Sequence, residues 1–83
     1  MEYHIHTLPQ LAAAVKSRRK TRGVTQQEVA SRVGLLAKTV SALENSPGTS
    51  SIESLFKLLS ALDLELIVAT KDAVSPDEPR GEW

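Results

Sequence analysis

Apolar positions recur at helical spacing from residue 8 to residue 62, and then the pattern changes to alternation. Thr7-Leu8-Pro9-Gln10 is a capping box with proline in the first turn, so a helix starts there. Leu8, Leu11, Ala12, Val15 and Arg19 share one face of it, and Gly23 ends it. Thr25-Gln26-Gln27-Glu28 is a second capping box, flanked by Val24 and Val29 at the two positions of a hydrophobic staple. The helix it opens runs to Val33 and stops at Gly34. A third helix spans about Leu36 to Asn45, before the breaker Ser46-Pro47-Gly48. Ser50-Ser51-Ile52-Glu53 reads as a further capping box, opening a fourth helix with Leu55, Leu58, Leu59 and Leu62 on one stripe. Short links between four helices predict a compact, mainly α bundle.

In Leu64-Glu65-Leu66-Ile67-Val68-Ala69-Thr70 the positions Leu64, Leu66 and Val68 alternate, which predicts one short C-terminal β-strand. A lone strand leaves its backbone groups unpaired and needs an edge to join. The same strand of a second copy would supply that edge, giving a two-fold homodimer in which Leu64, Leu66, Ile67 and Val68 are the dimerisation residues. Residues 3–6 (Tyr-His-Ile-His) offer a weaker partner within the chain. Domain organisation follows: residues 1–71 are expected to form one helical, dimerising domain, and residues 72–83 a polar, acidic tail expected to be flexible.

With 83 residues and no cysteine, the chain is one small domain with neither a disulfide framework nor a cysteine-based zinc site. Nothing in it is long and apolar enough for a membrane span, and no signal-peptide pattern opens it, so a cytoplasmic protein is expected. Its zero net charge conceals an asymmetry. Lys16, Arg18, Arg19, Lys20, Arg22, Arg32 and Lys38 face the single acid Glu28 between residues 16 and 38. Six acids face two basic residues from Asp63 to Trp83. A basic surface and an acidic tail suit a phosphate-facing body, although charge alone equally fits a solvated helix face.

Two short helices joined by a glycine turn, with basic charge on and before them, are the layout of a helix-turn-helix DNA reader. Gln26, at the first position of the second helix, can meet a phosphate. On the third helix Ala37, Lys38, Ser41 and Ala42 lie on or near the exposed side, whereas Val40 and Leu43 face inward. Lys38 can donate to guanine O6 or N7, and Ala37 or Ala42 can meet a thymine methyl. Thr39, Ser41 and Asn45 have short hydrogen-bonding side chains suited to phosphates. Gln27 and Arg18 complete the candidate DNA-binding set.

The string Arg-x-x-x-Gly-x-Thr-Gln-x-Glu-x-Ala-x-x-x-Gly (Arg19 to Gly34), then Thr-Val-Ser-x-x-Glu-Asn (Thr39 to Asn45), then Leu-x-x-Leu-x-x-Ala-Leu (Leu55 to Leu62) resembles the lambda-repressor-like, Xre-type helix-turn-helix family. That resemblance implies a four- to five-helix repressor fold with Gln26 and the start of the third helix on DNA. It also implies a structural ion pair between Arg19 and Glu44. The helical domain, the closing strand, Ser75-Pro76 and the terminal Glu82-Trp83 together are similar to the HipB-like antitoxins. This narrower resemblance implies a dimeric binder of double-stranded operator DNA that represses its own promoter in a type II toxin–antitoxin operon. It further implies a HipA-like serine/threonine kinase toxin as protein partner. Two features depart from the pattern: Leu36 stands where a serine or threonine cap is usual, and Ala37 and Ala42 replace longer polar readers.

Trp83, the only tryptophan, lies in the polar tail, where an aromatic anchor for a partner's pocket would explain it. His4 and His6 are at most half of a metal site without a third ligand, so no metal and no cofactor are expected. No nucleophile–base pair, phosphate-cradling loop or carboxylate pair points to an enzyme or a small-molecule substrate. Besides the antitoxin, a stand-alone Xre-type repressor remains open, as does a protein-interaction module on the same scaffold; the latter predicts no salt-sensitive DNA binding.

Overall fold

The computed structural model describes residues 2–71. They form four α-helices, α1 (Leu8–Thr21), α2 (Gln26–Arg32), α3 (Ala37–Asn45) and α4 (Ile52–Ala61), with a 3-10 turn at Pro47–Thr49. The capping boxes of α1 and α2 close as the sequence predicts. Thr7 Oγ1 accepts from the Gln10 N–H at 3.3 Å while Gln10 accepts from the Thr7 N–H at 3.1 Å. Thr25 Oγ1 accepts from the Glu28 N–H at 3.0 Å, and Glu28 accepts in return from the Thr25 N–H at 2.8 Å.

Three helices end in the same device. After α1 and α2 the chain enters the left-handed region at Gly23 (φ 69°) and Gly34 (φ 72°). The Val24 N–H then reaches the Arg19 carbonyl at 3.3 Å, and the Leu35 N–H reaches the Ala30 carbonyl at 2.9 Å. These are Schellman closures, which satisfy carbonyls the helix leaves open. After α4 the left-handed residue is Asp63, at φ 56°, with the Leu64 N–H on the Leu59 carbonyl at 2.9 Å. An aspartate there accepts a conformation that glycine adopts more readily.

Val15 from α1, Val29 and Ala30 from α2, Val40 and Leu43 from α3, and Leu58, Leu59 and Leu62 from α4 form the core. Each apolar stripe read from the sequence contributes to it. Leu8 does not join; it stays half exposed at the mouth of a shallow cleft between the start of α1, the 3-10 turn and α4. Val24 packs against the core as the hydrophobic staple requires, joined by Leu11, Leu35, Leu55 and Leu64.

Two boundaries differ from expectation. Helix α3 begins at Ala37, with Leu36 as its N-cap residue and no side-chain cap. The cap of α4 is Ser51, whose hydroxyl accepts from the Ser54 N–H at 3.0 Å, so the box expected between Ser50 and Glu53 does not form. The 3-10 turn explains the shift: it consumes the Ser50 N–H, bonded to the Pro47 carbonyl at 3.0 Å. The buried Ser50 Oγ is left without a partner. Within the single chain residues 64–70 have no strand partner. Strand pairing needs a ladder, and among the described residues no backbone hydrogen bond joins this segment to residues 3–6. Leu64 tucks against the core while Leu66, Ile67 and Val68 are exposed, Val68 to 91 %.

Candidate nucleic-acid interface

The site is organised around one buried carboxylate. Glu44, near the end of α3, is fully buried in its side chain, and Arg19 of α1 reaches it with two parallel hydrogen bonds, Nε to Oε2 at 2.6 Å and Nη2 to Oε1 at 3.0 Å. Such a fork-on-fork pair fixes orientation as well as charge. The remaining Arg19 nitrogen, Nη1, donates to the Val24 carbonyl at 2.9 Å, in the turn before α2. Gln26 adds a third bond, its Nε2 donating to Glu44 Oε1 at 3.1 Å. One guanidinium and one carboxylate thus tie together α1, the start of α2 and the end of α3. The hydrogen bond to Glu44 holds the Arg19 pKa above its ordinary value, against the opposing effect of burial.

This clamp positions the candidate readers. Val40 and Leu43 bury the inner side of α3 completely or nearly so, which turns the helix's other residues outward. Lys38 is exposed, and Ala37, Thr39, Ser41 and Ala42 are partly exposed beside it. Asn45 is exposed but folds back, its Nδ2 donating to the Ser41 carbonyl at 2.8 Å and to Ser41 Oγ at 3.3 Å. On α2, Gln27 is exposed, and Gln26 is half-buried because its amide is engaged by Glu44.

Two of the basic side chains are also tied into the fold. The Nε of Arg18 donates to the Leu62 carbonyl at 2.9 Å, fastening α1 to the C-terminal end of α4. Arg22 pairs with Asp63 at 2.6 Å on the same end. The Arg22 hydrogen bond, supported by the charges of Arg22, Arg18 and Arg32, holds the Asp63 carboxyl below its ordinary range. Glu28 is held low as well, chiefly by its bond from the Thr25 backbone. Arginine at a helix C-terminus also complements the helix dipole, so these residues serve the fold before any ligand. Sequence reasoning missed the Arg18 and Arg22 contacts because no local signal marks them; both partners lie more than 40 residues away. Trp83 lies outside the described residues.

Among the described residues no group of His, Asp or Glu side chains is arranged to hold a metal ion, and no helix is long and apolar enough to cross a membrane.

Known proteins place this geometry. A helix-turn-helix family model matches residues 15–68. Antitoxin HipB of Escherichia coli O6:H1 strain CFT073 is 36% identical over 73 residues, covering 88% of this chain and 78% of that protein. Antitoxin HipB of Escherichia coli K12 is 34% identical over 73 residues, covering 88% and 83%. Among solved structures, a HipB variant in a HipB–O2 20mer complex superposes with a TM-score of 0.80 at 34% identity, over 89% of this chain and all of that one. HipB in a HipA–HipB–O2–O3 complex gives 0.79 at 34% identity, over 82% and 96%. By the family model, by identity across most of both chains and by backbone likeness, this chain belongs to the HipB family of helix-turn-helix proteins.

Proposed function

We propose that the chain is a sequence-specific DNA-binding antitoxin that represses its own promoter and binds a HipA-like serine/threonine kinase toxin. The observation that carries the reading is the clamped α3: its inner side and its end are fixed by the core and by Arg19–Glu44, while Lys38 is exposed and Ala37 partly so. The relatives' complexes with O2, O3 and HipA, read as operator DNA and toxin, support both partners.

In this reading α3 enters the major groove with its first turn foremost. Lys38 donates to guanine O6 or N7, and Ala37 and Ala42 lie against thymine methyls. Gln26, Gln27, Thr39 and Ser41 contact flanking phosphates, which set register without reading sequence. Gln26 is preset for this by Glu44, and one of its two amide hydrogens remains for a phosphate. Leu66, Ile67 and Val68 leave solvent by pairing with the same segment of a second copy, with Leu64 anchoring the segment to the core. The two copies then present their α3 helices to half-sites about 34 Å apart, one helical turn. Trp83 acts as the toxin anchor. The chemistry is recognition only, with no catalytic step and no cofactor.

The test is capture from the native host with tagged full-length protein beside a version truncated after Thr70. Full-length protein retaining a kinase-sized partner that the truncation loses supports the antitoxin with a tail-borne anchor. Operator binding with no partner in either form leaves a stand-alone repressor.

A further inference from the structure

One exposed apolar side chain stands on the reading surface and is used by nothing in the fold. Leu36, the N-cap residue of α3, is 62% exposed. It is absent from the core and from the residues packed against it, although its neighbour Leu35 is among them. Nor does it serve the helix. The N-cap residues of α1, α2 and α4, Thr7, Thr25 and Ser51, each accept a backbone N–H, whereas the Leu36 side chain has no atom that can. Leucine is among the poorest residues for that position. Both solvation and helix capping therefore argue against leucine here, and departures of this kind concentrate where function demands them. Its immediate neighbours are the partly exposed Ala37 and the exposed Lys38, so the leading turn of α3 presents an apolar patch beside one cation.

We infer that Leu36 is a specificity-determining residue that packs against a thymine methyl in the major groove, next to the base read by Lys38. This rests on the operator-binding reading and deepens it. The thymine C5-methyl is the apolar feature of the major-groove edge, and a branched aliphatic side chain covers it with methyl groups that serine lacks. Leu36 and Lys38 together then specify a thymine adjoining a guanine in each half-site. The missing cap is the stability forgone for that contact.

The experiment uses full-length wild type, Leu36→Ser and Leu36→Met with duplexes spanning the DNA upstream of the chain's own gene. One duplex is unmodified, and each of the others carries deoxyuridine, which lacks only the methyl, at one symmetric pair of thymines. Affinity is read by fluorescence anisotropy and folding by circular dichroism. At one thymine position wild type should bind about threefold to tenfold more weakly on demethylation, in line with burial of one or two methyl-sized groups. Leu36→Met should keep that discrimination and Leu36→Ser should lack it. Leu36→Ser should also melt a few degrees higher than wild type, since serine supplies the cap. A demethylation penalty equal in wild type and Leu36→Ser at every position would overturn the inference while leaving operator binding intact. Absence of salt-sensitive binding by wild type would remove the operator reading itself, and the inference with it.

Discussion

Helix α3 has two ends made of different material. Its C-terminal half carries Val40 and Leu43 into the core and Glu44 into a bidentate pair with Arg19, a bond to Gln26 completing the carboxylate's partners. Its first turn has an uncapped leucine, an alanine and an exposed lysine, with no side-chain hydrogen bond to hold them. The difference separates two jobs within nine residues. Rigidity is concentrated at the C-terminal end of α3, so that in the proposed reading the first turn is aimed from behind, with Gln26 the one candidate contact that also serves the clamp. Reading surfaces placed on rigid elements and supported from behind are the arrangement that precise recognition requires.

The comparison breaks most violently at the clamp. Glu44→Gln leaves Arg19 charged and partly buried without its counter-ion, and removing one partner of a buried pair costs about 3–5 kcal/mol. In a domain this small that is a large share of the total stability, so urea unfolding should shift far to lower concentration. DNA binding should disappear with the fold rather than separately from it. Lys38→Ala acts at the other end. It should leave the unfolding free energy within about 0.5 kcal/mol of wild type, as expected of an exposed site. It should weaken operator binding by about 1–3 kcal/mol for each guanine no longer read, measured by anisotropy. A Lys38→Ala variant that unfolds, or a Glu44→Gln variant that folds normally and merely binds less well, would show that the two ends are not separate.

Gly34→Ala tests the joint between α2 and α3. At φ 72° an added Cβ meets no neighbour, so the penalty is the left-handed backbone alone, about 1–2 kcal/mol. Thermal unfolding should report that destabilisation, and relaxation of the turn should re-aim α3 and lower operator affinity further than stability alone predicts.

The smallest effect is with pH. Asp63 and Glu28 are held below their ordinary values by Arg22 and by the Thr25 backbone respectively. The unfolded chain therefore binds more protons than the folded one at acid pH. The stability these groups contribute is fully present above the unfolded carboxylate range, near pH 4, and drains away as pH falls through the lower folded values. Both carboxylates are exposed, so the slope is shallow. Urea midpoints measured from pH 6 to pH 3 should fall, and Asp63→Asn should flatten part of that decline.

Much of the helical body was legible because its signals are local. Thr7 and Thr25 announce their helices within four residues, glycines 23 and 34 end theirs, and the apolar stripes bury as their period requires. The features that were not legible depend on tertiary context. Ser50 and Glu53 match a capping-box pattern as well as any pair in the chain, yet the 3-10 turn moves the start of α4 by one residue. Asp63 in the left-handed region has no glycine to announce it, and its ion pair with Arg22 spans the domain. The bond from Arg18 to the Leu62 carbonyl is likewise invisible in sequence, because charge runs say nothing about direction. The Arg19–Glu44 pairing is suggested only by family resemblance, since no spacing rule connects residues 25 apart. The segment 64–70 has strand character in its side chains, but a single chain offers no edge to complete it.

The central claim is that the exposed start of a clamped α3 binds operator DNA. Its most direct test is a salt titration of wild-type affinity for the duplex upstream of the chain's own gene, with Lys38→Ala alongside. The account predicts that log affinity falls linearly with log salt, steepening by about 0.9 for each phosphate neutralised. It also predicts that Lys38→Ala binds more weakly at every salt concentration while unfolding at the same urea concentration as wild type. Affinity indifferent to salt, or unchanged by removal of the Lys38 side chain, would contradict it.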